Sequence, residues 1–137
     1  MFAYELCRRY QRAVNARDMD QILDLFVPDA MATAPISGTL PVREFHLQLF
    51  RHNERGMTQL RNVFDGLMGE RSIALQFDYT WTREGDIPLV LQGVTIFDLA
   101  GTKDKLAGLT MIYDASELRK YLAGQQASHA DRAARSA

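Results

Sequence analysis

Cysteine is nearly missing from this 137-residue chain, occurring once as Cys7. An internal disulfide is therefore excluded, and a reducing compartment is expected. An excess of one charge is missing too. Sixteen Lys and Arg face 17 Asp and Glu, so there is no electrostatic footprint for nucleic acid or for an anionic membrane. No stretch approaches the roughly 20 apolar residues of a membrane span, and the first nine residues lack the basic-then-apolar pattern of a leader. The expectation is a soluble cytoplasmic protein. Histidine is scarce: His46, His52 and His129 show no ligand spacing with each other or with Cys7, so no metal site is expected. No glycine-rich loop follows a strand and opens a helix, and no G-x-S-x-G turn is present. Nucleotide phosphates, nucleophilic serine chemistry and cofactors in general are not expected.

What the chain does have is a long alternating segment. From Arg71 to Thr82, Ile73, Leu75, Phe77, Tyr79 and Trp81 share one face, while Ala74, Gln76, Asp78, Thr80 and Thr82 share the other. A period of two with β-branched and aromatic enrichment predicts a strand in a sheet with one buried side. Tyr79 and Trp81 carry polar atoms that require partners when buried, so this face suits a packed core or an organic ligand.

The first half reads as helices. Phe2, Leu6, Tyr10, Ala13 and Val14 form one stripe of a first helix. Asp18 with Gln21 three residues on makes a capping box for a short second helix, which Pro28 is expected to stop. Residues 30–34 suit a short strand and Pro35 to Gly38 a turn. A third helix follows, with Pro41 tolerated in its first turn and Val42, Phe45, His46, Leu49 and Phe50 on its apolar stripe. The second half reads as strands at 58–68, 72–82, 88–99 and 105–113. Turns are expected at 69–71, 83–86 and 100–103, and the last three strands should pair antiparallel. Asp114 to Glu117 repeats the capping-box pattern and should open a final short helix. The result is an α+β fold, with helices on one face of a strongly curved antiparallel or mixed sheet. One domain is expected over residues 1–123, followed by a polar, frayed tail over 124–137.

Several local patterns add to this order of elements: Arg9-Tyr10, Asn15-Ala-Arg-Asp18, Leu25-Phe26, Asp29-Ala30, Pro35 with Gly38, and Val94-Thr-Ile-Phe97-Asp98 followed by Gly101. In these the chain resembles the nuclear transport factor 2-like superfamily over residues 2–122. It is most similar to the ketosteroid isomerase and SnoaL-like polyketide cyclase branch. The resemblance implies a cone-shaped α+β fold, a cavity for a hydrophobic small molecule and a homodimer. It does not imply one reaction, because such folds host several chemistries or none.

Carried over residue by residue, the isomerase site mostly fails. Its oxyanion-hole tyrosine is matched by Tyr10, but the general-base position is matched by Ala34 and the oxyanion-acid position by Gly93. Neither side chain can move a proton or donate a hydrogen bond. Strand alternation and the resemblance together place Leu75, Phe77, Tyr79, Trp81, Leu89, Leu91, Gly93, Thr95, Phe97, Thr110, Ile112 and Asp114 on the pocket face, with Tyr10 pointing in from the first helix. Ala34 and His46 are expected at its edge. Asp114 is the one carboxylate there, either a proton-transfer group with Tyr10 as its polarising partner or simply the cap of the last helix. His46, alone on an apolar stripe, reads as a satisfied core or pocket-edge histidine or as a base.

Two classes of function follow. One is a cofactor-free isomerase, cyclase or hydratase acting on a hydrophobic ketone, polyketide or terpenoid by general acid and base catalysis. The other is a binding or protein-interaction module with the same fold. The half-apolar outer sheet face, with Gln76, Asp78, Val90, Gln92, Val94, Ile96 and Met111, is the expected homodimer surface.

Overall fold

Three- and four-residue spacing places Ala3, Leu6, Cys7, Tyr10, Ala13 and Val14 on the buried face of α1 (Phe2–Asn15). The computed structural model describes residues 2–53, 56–68, 71–81, 87–101 and 104–124. Phe2, expected on that stripe, is exposed instead, because Ala3 and Cys7 complete the buried face. The helix closes with two backbone hydrogen bonds, Asp18 N–H to Ala13 C=O and Arg17 N–H to Val14 C=O, both 3.0 Å. This end geometry places Arg17 in the left-handed region at φ 53°, where glycine is usual.

Asp18 then caps α2 (Met19–Asp24), its Oδ1 accepting from the Gln21 N–H at 3.2 Å. The chain passes directly into β1 (Phe26–Ala34), which begins before Pro28 rather than after it. Pro28 is tolerated because the β1 pairing with the last strand is interrupted between Phe26 and Met31, so no ladder hydrogen bond is lost there. A turn leads to β2 (Gly38–Pro41), a strand that sequence reading misses because it is only four residues long. The third helix, α3 (Val42–His52), buries Val42, Phe45 and His46.

The remaining strands are β3 (Met57–Asp65), β4 (Ser72–Trp81), β5 (Leu89–Leu99) and β6 (Leu106–Tyr113), and helix α4 spans 116–124. They form one six-stranded sheet in the order β2-β1-β6-β5-β4-β3. Only β1 and β6 pair in parallel; the other pairs are antiparallel. The expected turns at 83–86 and around 69–70, residues 102–103 of the third turn, and the tail beyond 124 lie outside the described residues.

Register decides which side chains face inward. Phe77 pairs with Gly93 and Gly93 with Tyr113, Leu75 with Thr95 and Thr95 with Met111, Ile73 with Phe97 and Phe97 with Leu109. Directly paired residues share a face. Against that face α1 packs Tyr10 edge-on to Phe97, with ring centroids 4.9 Å apart. Phe97 is fully buried, and burial of a side chain of this size contributes about 1.5–3 kcal/mol.

Gly93 is required where it stands. A Cβ there would lie 2.5 Å from the Ile112 carbonyl oxygen and 2.8 Å from Phe77 Cζ. Gly93→Ala is therefore expected to lower stability by about 1–3 kcal/mol, the cost of overpacking, in urea denaturation. An unchanged midpoint would show that β5 and β6 can separate without penalty.

Candidate functional site

Between the inner sheet face and α3 the structure forms an open-mouthed cavity of about 480 Å³. β4 supplies Phe77, Tyr79 and Trp81, β5 supplies Leu91, and β6 supplies Met111 and Tyr113. The opposite wall is one face of α3, where Phe45, Gln48, Leu49 and His52 recur at three- and four-residue spacing, with Arg51 beside them. Ala34 of β1, Ile36 and Ser37 of the following turn, and Leu122 of α4 complete it. The aromatic side chains of β4 reach the cavity because the strand alternates, and the volume is in the range of small-molecule sites. Among the described residues, none that lines it is Asp or Glu.

Trp81 combines a cavity-lining ring with a buried Nε1 that has no hydrogen-bond partner among the described residues, an uncommon arrangement for an indole donor. Its neighbour on the same face is held more firmly. Asn53, the fully buried C-cap of α3, donates from Nδ2 to Thr80 C=O at 3.3 Å, while its own carbonyl accepts from the Arg17 guanidinium at 2.6 Å. The Asn53 side chain also hydrogen-bonds Tyr79, whose hydroxyl is pushed up to about 12 by burial against the opposing effects of Asn53 and the Arg17 charge.

Of the residues expected at the site, Ala34, Phe77, Tyr79, Trp81 and Leu91 lie on the cavity wall. Gly93 lies beneath Phe77, whose ring occupies the space that a side chain would fill. Tyr10 and Thr95 border a separate void of about 10 Å³, roughly the space of one water. Leu49, Phe77, Tyr79 and Met111 stand between it and the main cavity, since they line both.

Three expected placements are corrected. Thr110 and Ile112 pair with Ile96 and Val94, so they belong to the outer face. Met111, assigned outside, lines the cavity. Asp114 follows the end of β6 and is exposed. Its Oδ1 accepts from the Ser116 N–H at 3.0 Å and from the Ser116 hydroxyl, and these bonds hold its carboxyl below the ordinary value. It caps α4 and has no place on the cavity wall. The physical reason is the β6 sequence itself: apolar residues stand on both faces, so alternation alone does not select one.

Tyr10 and His46 meet each other rather than a ligand. The Tyr10 hydroxyl lies 2.8 Å from His46 Nε2, and His46 Nδ1 lies 2.7 Å from the Val42 carbonyl oxygen. A carbonyl only accepts, so Nδ1 carries the proton, Nε2 accepts and the Tyr10 hydroxyl donates. Burial lowers His46 to about 4, opposed by the Val42 bond, and raises Tyr10 well above its usual value. The pair is neutral at pH 7. Besides Met111, the cavity residues missed in the sequence are Ile36, Ser37, Phe45, Gln48, Leu49, Arg51, His52, Tyr113 and Leu122; the spacing Phe45, Gln48, Leu49, His52 is the signal that marks the α3 wall.

The family model of the SnoaL-like domain matches residues 7–107. The chain belongs to the SnoaL-like family. No curated protein matches it significantly. Among solved structures, TerC co-crystallised with polyporic acid superposes with a TM-score of 0.74 at 15% identity, covering 88% of this chain and 97% of that one. A protein named as a SnoaL-like polyketide cyclase from Jannaschia gives 0.70 at 17% identity, with 86% and 89% covered. A protein with a ketosteroid isomerase-like fold from Catenulispora acidiphila, in complex with trimethylamine, gives 0.69 at 15% identity, with 82% and 87% covered. The SnoaL-like chain thus has the α+β nuclear transport factor 2-like fold expected of it. No described helix is long and apolar enough to cross a membrane, and no group of metal-ligating side chains occurs among the described residues.

The His46 environment sets a pH dependence. The unfolded imidazole takes a proton near 6.5, whereas the folded one resists until about 4. Protons therefore favour the unfolded state in this window, and the stabilising effect is complete above 6.5 and lost as the pH falls towards 4. Denaturation midpoints should fall across pH 6.5 to 4, by roughly 3 kcal/mol in total from this residue. In His46→Gln that component should vanish; an identical pH slope in both proteins would refute the assignment.

Proposed function

We propose that this protein binds a hydrophobic small molecule in the cavity between β4, β5, β6 and α3. The observation that carries this reading is the cavity itself: about 480 Å³ with walls from four strands and two helices, largely aromatic and aliphatic, with a few polar groups. That is the composition of a ligand site rather than of a filled core. Polyporic acid with TerC and trimethylamine with the Catenulispora protein support small-molecule binding by this fold.

Binding without chemistry is the form of the reading that the geometry favours. The Tyr10 hydroxyl donates to His46 behind the cavity wall and Asp114 caps α4 outside it, so that pair does not converge on one space. A cofactor-free isomerase, cyclase or hydratase reaction on a ketone, polyketide or terpenoid is supported by one residue only. His52, half-buried on the wall, is of a side chain type that serves as general acid or base.

The chain has one tryptophan, and it is on the wall, so emission reports occupancy. Titration with adamantan-2-one should give a saturable one-to-one change in Trp81 fluorescence. Ala34→Phe, which fills the cavity from β1, should weaken it about tenfold or more, as expected for loss of a preformed pocket. Failure of any apolar ketone, amide or acid to bind would remove the cavity reading.

The outer sheet face supports a homodimer. Met31, Val90 and Ile112 are exposed there, beside the half-buried Val94 and Ile96, an apolar surface that a second copy would cover. Sedimentation equilibrium should report twice the 15.5 kDa chain mass, and Ile112→Lys should return it to the monomer. A monomeric parent protein would refute this surface.

A further inference from the structure

The cavity stops short of the first helix, and the layer that stops it is thin. Inward-facing residues of β4, β5 and β6 lie in rows across the sheet. Phe77, Gly93 and Tyr113 form one row; Leu75, Thr95 and Met111 form the next, towards Phe97 and the Tyr10 ring packed on it. Of the second row, Met111 lines the cavity, whereas Leu75 and Thr95 line the void of about 10 Å³ behind it. Tyr10 and Val14 of α1 line that void as well. The depth of the cavity is therefore decided at the Met111 row.

A side chain that only fills a core is backed by packed atoms. Met111 instead has the cavity on one side and the void on the other, as have Leu49, Phe77 and Tyr79. These four differ in how firmly they are held. The Phe77 ring occupies the space left by Gly93, where a Cβ would come within 2.8 Å of its Cζ. Tyr79 is hydrogen-bonded by the Asn53 side chain. Leu49 and Met111 are half-buried and packed against the core by apolar contact. Of these two, Met111 pairs directly with the void-lining Thr95, and its long unbranched side chain adapts to an irregular gap.

We propose that Met111 is the specificity-determining floor of the cavity, closing it off from the space beside Tyr10 and Thr95 and so restricting the site to compact apolar molecules over elongated ones of the same chemistry. This rests on the reading of the cavity as a ligand site and adds a limit of length to it. The wall from Phe77 to Trp81 along β4 is about 13 Å long at the usual strand rise. A ligand of that length fills the site, and a longer one projects from the mouth. Removal of the Met111 side chain beyond Cβ joins the void to the cavity, and an alkyl tail then runs on towards Tyr10.

The test is isothermal titration calorimetry of the full chain with acetophenone, butyrophenone, hexanophenone and octanophenone, which differ in tail length alone. The readout is the affinity of each variant divided by that of the parent protein. For Met111→Ala this ratio should be about one or lower with acetophenone and should climb with tail length. It should reach about tenfold or more with octanophenone, as about two further methylenes are buried at roughly fourfold each. Met111→Leu, which nearly conserves the volume, should hold the ratio near one throughout. Should Met111→Ala fail to melt cooperatively, Met111→Val should show the same climb on a smaller scale, about fourfold at the longest tail. A ratio that does not change with tail length would overturn the floor while leaving the cavity reading in place. Absence of binding of every ketone to the parent protein would overturn both.

Discussion

The hydrogen bond from the Tyr10 hydroxyl to His46 Nε2 joins α1 to α3 in the interior, and the position of α3 is what makes room beneath it. Tyr10 stacks edge-on to Phe97 of the sheet, while His46 stacks edge-on to Phe45, with ring centroids 5.0 Å apart. One polar contact thus fixes the helix at its buried first half. The second half of the helix is fixed by Asn53, which ties its end to Thr80 and Arg17. Held at both ends, α3 bridges the sheet instead of collapsing onto it, and the space between its two anchors is the cavity. Both anchors are satisfied networks, as buried polar groups must be if they are to order a core rather than destabilise it.

This arrangement divides labour among residues that a family comparison would group together. The tyrosine of the first helix, matched to an oxyanion donor by resemblance, serves packing and the placement of α3. Polar side chains on the cavity wall are instead contributed by α3, with Gln48, Arg51 and His52. A fold shared at 15–17% identity with the solved structures is compatible with this, because one fold hosts many different sites.

Much of the architecture was legible because strong periodic patterns carry it. The β4 alternation, the α1 stripe and the Asp18 cap are local signals, and the structure agrees with each apart from the exposure of Phe2. What was not legible depends on partners distant in sequence. β6 reads Leu-Ala-Gly-Leu-Thr-Met-Ile-Tyr, with apolar residues on both faces, and only its pairing with β5 turns Met111 and Tyr113 inward and Ile112 outward. β1 begins ahead of Pro28 because an irregularity in its pairing with β6 accommodates the proline. The Asp114 ambiguity had the same origin: the capping pattern was local and visible, whereas the cavity face of the neighbouring strand was not. His46 was placed on the right helical stripe, but its bond to Tyr10 joins residues 36 positions apart and leaves no trace in spacing.

The parallel pairing of β1 with β6 has a kinetic meaning during synthesis. Phe26 pairs with Leu106 and Thr33 with Thr110, so a strand formed early has its central partner some 80 residues later. At about 5–20 residues per second, a nascent chain waits roughly 4–16 s between the two. Until then β1 has only the short β2 on one side, and its other edge is an open template for pairing with another chain. Pro28, within β1, has no N–H to offer a pairing strand, and Asp29 beside it adds a charge. The same residue that looked like a helix stop in the sequence thus lacks the donor that an unpaired strand would otherwise present.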